Sequence, residues 1–156
     1  MEDIRRTVSA LASLIRIHRQ RVDAYSMLWA TTSNDEIKSL CKRQIDLSIQ
    51  IVSNLSVWRS AYDNFGEHLN RYADTDIWFQ ARLLFSFNPE RIMIGRCEKL
   101  EREILKMYEL ALPLIPSSAG DDLRSQTKAL EPLMQRLQEV SERKQVVGSG
   151  SLIARP

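Results

Sequence analysis

The stretch GRCEKLEREILKMYELAL, Gly95 to Leu112, decides the fold. With Ile94 just before it, residues at alternating spacings of three and four form one row: Ile94, Cys97, Glu101, Ile104, Tyr108 and Ala111. That spacing is the buried seam of an amphipathic helix. Five of the six side chains suit a core, and the sixth is a glutamate near the middle of the row. An ionised carboxylate buried alone is costly, so Glu101 requires a partner, a proton or a metal, or else a path to solvent past Leu100.

Working outward, Asn88 reads as the cap of this helix and Pro89 as its first-turn residue. The same three-and-four pattern recurs on both sides. A first helix spans about Asp3 to Thr31, with Ile4, Val8, Leu11, Ile15, His18, Val22, Tyr25 and Trp29 on its seam. TTSNDE breaks it, and Ser33 with Glu36 reads as a capping box for the next helix. That helix runs to about Asp63, carrying Ile37, Cys41, Gln44, Ser48, Ile51, Leu55, Trp58 and Tyr62. A loop this short makes the first two helices antiparallel neighbours. PLIPSSAGDD leads into a last helix from about Ser118 to Lys144, with Leu123, Gln126, Leu130, Leu133, Leu137 and Val140 as its stripe. Pro132 inside it removes the hydrogen bond to the Lys128 carbonyl and reads as a kink.

Between Asn64 and Asn88 the pattern changes. NFGEHLNRYAD reads as an irregular link, and TDIWFQARLLFSF as a short apolar helix capped by Thr75. Its greasy surface exceeds what a simple connector needs, so Trp78, Phe79, Leu83 and Phe87 are the candidate interaction surface. A connector of some 25 residues is long enough to cross a bundle's length. A single crossover at that place is the ferritin-like arrangement, whereas up-down-up-down bundles use short loops throughout. The expected fold is therefore all-α: a ferritin-like four-helix bundle over residues 1–145, with a long crossover connector containing a short extra helix between helices two and three. QVVGSGSLIARP lacks periodicity, and residues 146–156 read as a flexible tail.

Composition sets the outer bounds. The chain has 156 residues, 44% hydrophobic and 27% charged, with few glycines and prolines for a turn-rich β fold. Its formal net charge of +2 argues against a dedicated nucleic-acid binder. No apolar run approaches the roughly 18–20 residues that span a bilayer. MEDIRRTVSA lacks the apolar region of a secretory signal. Cys41 and Cys97 stand far apart without metal-type spacing and read as reduced thiols, so the expected location is the cytoplasm.

The polar residues on the seams fall at matching heights: His18 in helix one, Gln44 and Ser48 in helix two, Glu101 in helix three. Together they read as one polar layer inside an apolar core, with His18 as the partner of Glu101. A buried histidine–glutamate pair would fix the register of the bundle. Ferritin-like di-metal sites instead use a Glu from each of two helices and a Glu-x-x-His pair from each of the others. Here Ile15 stands three residues before His18 and Phe65 three before His68, and Asp46 and Glu131 lie beside their seams. A four-carboxylate, two-histidine site cannot be assembled. No cofactor is expected, the alternative being iron or manganese held by His18, Glu101 and one further carboxylate. Arg16, Arg19 and Arg21, in IRIHRQR, read as a solvated basic face. No base sits at a recognisable spacing from a nucleophile, and no phosphate loop occurs, so catalysis has no sequence support.

Some of these residues resemble a known family. Trp78 in the connector, CEKLE from Cys97 to Glu101, and YELAL from Tyr108 to Leu112 resemble the bacterial ferritin-like family called domain of unknown function 2383. LIRI at Leu14–Ile17 followed by Tyr25 matches more loosely. The resemblance covers roughly residues 9 to 140 and is specific mainly between Trp78 and Leu112. It departs at Gln20, where the family carries an Asp, and at Met134–Gln135, where it carries His-Asp. The resemblance implies the ferritin-like fold, carries over Glu101 alone among metal-type residues, and hints at a stress-associated setting. The expected role is an oligomeric structural or interaction protein, a homodimer without membrane or nucleic-acid partner and without enzymatic activity. The alternative is a metal-binding, oxidoreductase-type bundle with a degenerate site.

Overall fold

A computed structural model of the chain describes residues 2–63 and 88–153, with side chains as far as Arg143. Among these residues are four helices: α1 (Glu2–Thr31), α2 (Asp35–Tyr62), α3 (Pro89–Ala111) and α4 (Ser117–Ile153). A single 3-10 turn, Leu112–Leu114, joins the last two. No strand occurs among the described residues, and none of the helices is long and apolar enough to cross a membrane. The connector reading, with Trp78, Phe79, Leu83 and Phe87, falls on 64–87 and lies outside the described residues.

Local chemistry accounts for each boundary. α1 contains no glycine or proline and opens on Glu2 and Asp3, which complement the positive end of the helix dipole. α2 is capped by Asn34, not Ser33: the Asn34 side chain accepts from the backbone N–H groups of Glu36 and Ile37 at 2.9 and 3.1 Å. Asn34 holds an extended backbone and reaches both orphan donors, while Thr32 Oγ1 accepts from the Asn34 N–H at 3.1 Å and tightens the loop. α3 begins at Pro89, with Asn88 accepting from the Arg91 N–H. α4 runs on to Ile153, beyond the Lys144 end that the sequence predicts. No proline follows Pro132 until Pro156, and once a helix is nucleated each added residue gains a backbone bond, even at glycines that lower its stability.

The contacts fix the directions of the helices. His18 meets Ser48 and Arg21 meets the Gln44 carbonyl, so α1 and α2 are antiparallel. Thr7 Oγ1 donates to the Leu114 carbonyl and Thr32 Oγ1 to Glu90, so α1 and α3 are antiparallel as well. Asn54 and Trp58 meet Asp122, while Glu36 pairs with Arg136 and Arg143, which sets α4 antiparallel to α2. α1 packs against α2 and α3, and α4 closes the remaining corner against the same two helices. α2 and α3 therefore run parallel on opposite corners, the first ending and the second beginning at opposite ends of the bundle.

α1 is flanked by two helices and buries a wider stripe than one seam. Leu11, Ile15, His18 and Tyr25 form the first row, and Leu14, Ile17, Arg21, Ala24 and Leu28 form a second at the same spacing. Ile4 and Trp29, at the ends of the first row, are about half exposed. α3 buries the whole row from Ile94 to Ala111, adding Met93 and Leu100. Full burial of a Leu or Ile side chain is worth about 1.5–3 kcal/mol, and this core repeats that gain along the bundle.

Candidate functional site

Glu101 lies in the core with 2% of its surface exposed, so the path to solvent past Leu100 is closed. Its partner is Arg21, not His18. Arg21 Nε donates to Glu101 Oε1 at 2.8 Å, and the Tyr25 hydroxyl donates to the same oxygen at 2.6 Å. Arg21 is fully buried, which overturns its reading as part of a solvated basic face. Arg16 and Arg19 do lie on the exposed side. Arg21 occupies the second apolar row of α1 between Ile17 and Ala24, where a single-seam reading places solvent. Its guanidinium also donates through Nη1 to Ser48 Oγ at 2.6 Å and to the Gln44 carbonyl at 3.1 Å, and stands 5.2 Å from the Tyr25 ring centroid. A cation so buried is tolerable only with a paired anion and several acceptors.

From Arg21 the hydrogen bonds continue across all four helices. Ser48 Oγ lies 3.2 Å from His18 Nδ1, and His18 Nε2 lies 2.8 Å from the Tyr108 hydroxyl. Tyr108 donates to Gln126 Oε1 at 2.8 Å, Gln126 Nε2 to Asn54 Oδ1 at 2.7 Å, and Asn54 Nδ2 to Asp122 Oδ2 at 3.1 Å. Trp58 Nε1 donates to the same Asp122 oxygen at 2.7 Å. Tyr108 has one proton and gives it to Gln126, so His18 donates from Nε2. Its Nδ1 then accepts from Ser48, which itself accepts from Arg21. Every donor in this chain points from the buried guanidinium toward the carboxylate of Asp122 near the surface.

Burial holds these groups in their neutral forms. Burial first, then the Arg21 charge, lowers the His18 pKa to about 3, so the ring is unprotonated at neutral pH. Burial raises the Tyr108 hydroxyl, and it raises Tyr25, reinforced by the neighbouring Glu101 charge. Cys41 is pushed up to about 12 by burial, and Cys97 is raised by the same cause. At the outer end, the hydrogen bonds from Trp58 and then Asn54 hold Asp122 below the usual aspartate value. Such a set neither gives nor takes protons near neutrality.

The four residues read as a polar layer, His18, Gln44, Ser48 and Glu101, are all buried, and Arg21 bridges three of them. His18 and Glu101, the candidate metal pair, are not brought together by hydrogen bonding. Both imidazole nitrogens are engaged elsewhere, and the carboxylate faces a fixed cation. The arrangement does not fit a di-metal centre, which needs several carboxylates converging without a guanidinium among them. No cluster of three or more His, Cys, Asp or Glu side chains suited to a metal ion occurs among the described residues. Arg21, Tyr25, Asn54, Trp58 and Asp122 complete the network, and helical spacing alone does not mark them as partners.

No protein-family model, curated protein or solved structure matches the chain.

Proposed function

We propose that this chain is a ferritin-like bundle acting as a structural or interaction protein, oligomeric, non-enzymatic and without a catalytic metal. The observation that carries this reading is the occupation of the core layer by Arg21. In a metalloenzyme of this build the central carboxylate faces an ion, whereas here it faces a guanidinium and a tyrosine hydroxyl. The imidazole is spent on Ser48 and Tyr108, and both thiols are buried and free. A network that is charge-paired and locked in one donor direction suits fixing the alignment of four helices, at some cost in stability, rather than chemistry.

The parallel run of α2 and α3 on opposite corners supports the ferritin-like topology, because it calls for one end-to-end connection between the second and third helices. The resemblance at CEKLE and YELAL points the same way, and its stress-associated setting comes to this chain as part of the proposal. Apolar side chains on the outer surface, Ile49 and Val57 of α2 and Leu110 of α3, each more than half exposed, offer contact area.

Two measurements on one preparation test the reading. Elemental analysis after growth with iron and manganese, purified without chelator, is expected to find well under one metal ion per chain. Light scattering is expected to give a dimer or larger species, reduced in mass by Trp78→Ser or Phe79→Ser. A monomer at every concentration would remove the oligomeric part, and stoichiometric metal would restore the alternative at His18 and Glu101.

A further inference from the structure

An open groove of about 260 Å³ lies between α1 and α2, lined by Arg19, Val22 and Asp23 of α1 and by Ile49 and Val52 of α2. Val22 and Val52 are half-buried and make an aliphatic floor, while Arg19 and Asp23 stand exposed at the rim. Ile49 projects beside them with 54% of its surface exposed. Pockets for small molecules run to roughly 300–1,000 Å³ and enclose most of the ligand. A smaller, open groove would leave such a ligand in water, so this one suits a side chain projecting from another protein surface.

Both halves of two contacts are present on this one face. It offers a hollow and a projecting aliphatic side chain, and a cation and an anion four residues apart on α1, about 6 Å along the helix axis. A surface that carries both halves of its own contacts is self-complementary, as a two-fold interface between identical copies requires. We propose that the groove is a contact between two copies of this chain. With the α1 helices antiparallel across the two-fold axis, Arg19 of each copy meets the partner's Asp23, and Ile49 of each copy enters the partner's groove. Asp23 also makes an interaction within its own chain, and a carboxylate with two oxygens accepts more than one donor. The reciprocal ion pairs fix the register and disfavour a parallel arrangement, in which like charges would face each other. This interface rests on the oligomeric reading and assigns its face.

Charge exchange on the full chain tests this face, with mass read by light scattering across a concentration series. Arg19→Glu sets a carboxylate against the partner's Asp23 at two symmetric places, and Asp23→Arg sets two cations together in the same way. Each variant alone is expected to weaken dimerisation by at least about tenfold. An equimolar mixture of the two variants should regain the dimer, because both contacts are then attractive, and native mass spectrometry should show one copy of each. Both substitutions in one chain should likewise restore the dimer. Recovery of this kind requires folded chains, so misfolding cannot imitate it. A native dimer that either substitution leaves intact, or two weakened variants that do not recover on mixing, overturns this face while the oligomeric reading stands. A native chain that is monomeric at every concentration overturns both.

Discussion

Arg21 Nε and Glu101 Oε1 stand 2.8 Å apart, with the arginine side chain 0% and the glutamate side chain 2% exposed. Eighty positions separate them in the chain, and each interrupts an otherwise apolar row of its own helix. The pair explains why a helix carries a carboxylate where a leucine would pack: its anion is required by a cation on the facing helix. Neither residue is tolerable there without the other.

Removal of one partner is therefore expected to be worse than removal of both. Glu101→Leu leaves the Arg21 charge buried and unpaired and should cost about 3–5 kcal/mol, as should Arg21→Met for the converse reason. The double variant Arg21→Met with Glu101→Leu should recover most of that loss, since well-packed apolar pairs replace buried ion pairs at little net cost. Urea unfolding of the four proteins gives the coupling directly. Had Glu101 been paired with a neutral His18, Glu101→Leu alone would have been tolerated, so the single variant discriminates between the two partners.

Much of this fold is legible in the sequence because four helices with three-and-four spacing need only periodicity to be found. The buried row of α3 follows the spacing residue by residue, as does its Asn88–Pro89 start, and that of α2 follows it from Ile37 to Leu55, with Trp58 and Tyr62 only partly buried. The partner of Glu101 was harder to see because α1 touches two neighbours and so buries two rows. A single row, Ile15–His18–Val22–Tyr25, passes beside Arg21. The second, Leu14–Ile17–Arg21–Ala24–Leu28, contains it, and a lone arginine in an apolar row was the available signal. The cap of α2 is Asn34 rather than its neighbour Ser33, since both are good cap residues by type and only the loop geometry, with Thr32 accepting from the Asn34 N–H, distinguishes them. The link from Tyr108 through Gln126 and Asn54 to Asp122 depends on which helices share a corner, which periodicity does not encode.

Tyr108→Phe should be the most informative conservative change in the chain. It removes one oxygen and strands both the His18 Nε2 donor and the Gln126 Oε1 acceptor. The expected loss is about 1–3 kcal/mol. Nitrogen chemical shifts of the native imidazole should report the tautomer protonated at Nε2. A ring protonated at Nδ1 would reverse the direction of the chain and sink its description as a path from Arg21 to Asp122.

Pro132 lies on the exposed side of α4 and deprives the helix of one backbone bond. Pro132→Ala is expected to stabilise the protein by about 1–3 kcal/mol, short of the full helix-propensity difference because α4 has adapted to the proline. Thermal unfolding would show this as a higher midpoint. A lowered midpoint would mean that the proline's effect on the backbone helps α4 to pack against both α2 and α3.

Both cysteines should be inert in the folded protein. Burial pushes the Cys41 thiol up to about 12 and raises Cys97, so neither supplies thiolate near neutrality. Reaction with a thiol-specific reagent should proceed only as fast as the structure opens, reaching two thiols per chain in denaturant. Rapid labelling of either one under native conditions would contradict the packing of α2 or α3.

Stability should fall as the solution is acidified, beginning well above the carboxylate range. His18 has its pKa lowered from 6.5 to about 3 by burial and by the Arg21 charge. Above 6.5 the ring is neutral in both folded and unfolded chains and its protonation adds no difference. Below 6.5 the unfolded chain takes up a proton that the folded chain refuses, so the unfolded state gains, at up to about 1.4 kcal/mol per pH unit, until the folded pKa is reached. Asp122 contributes with the same sign, because its carboxylate is held low by Trp58 and Asn54, but only below about 3.8. The window between pH 6.5 and about 4.5 therefore covers the histidines, and a His18 variant separates His18 from His68. Urea midpoints measured across that window should decline with falling pH in the native chain. His18→Gln, which keeps hydrogen-bonding atoms but cannot titrate, should flatten the decline while lowering stability throughout. An equally steep decline in that variant would assign the acid sensitivity to some other group and would place His18 in contact with solvent.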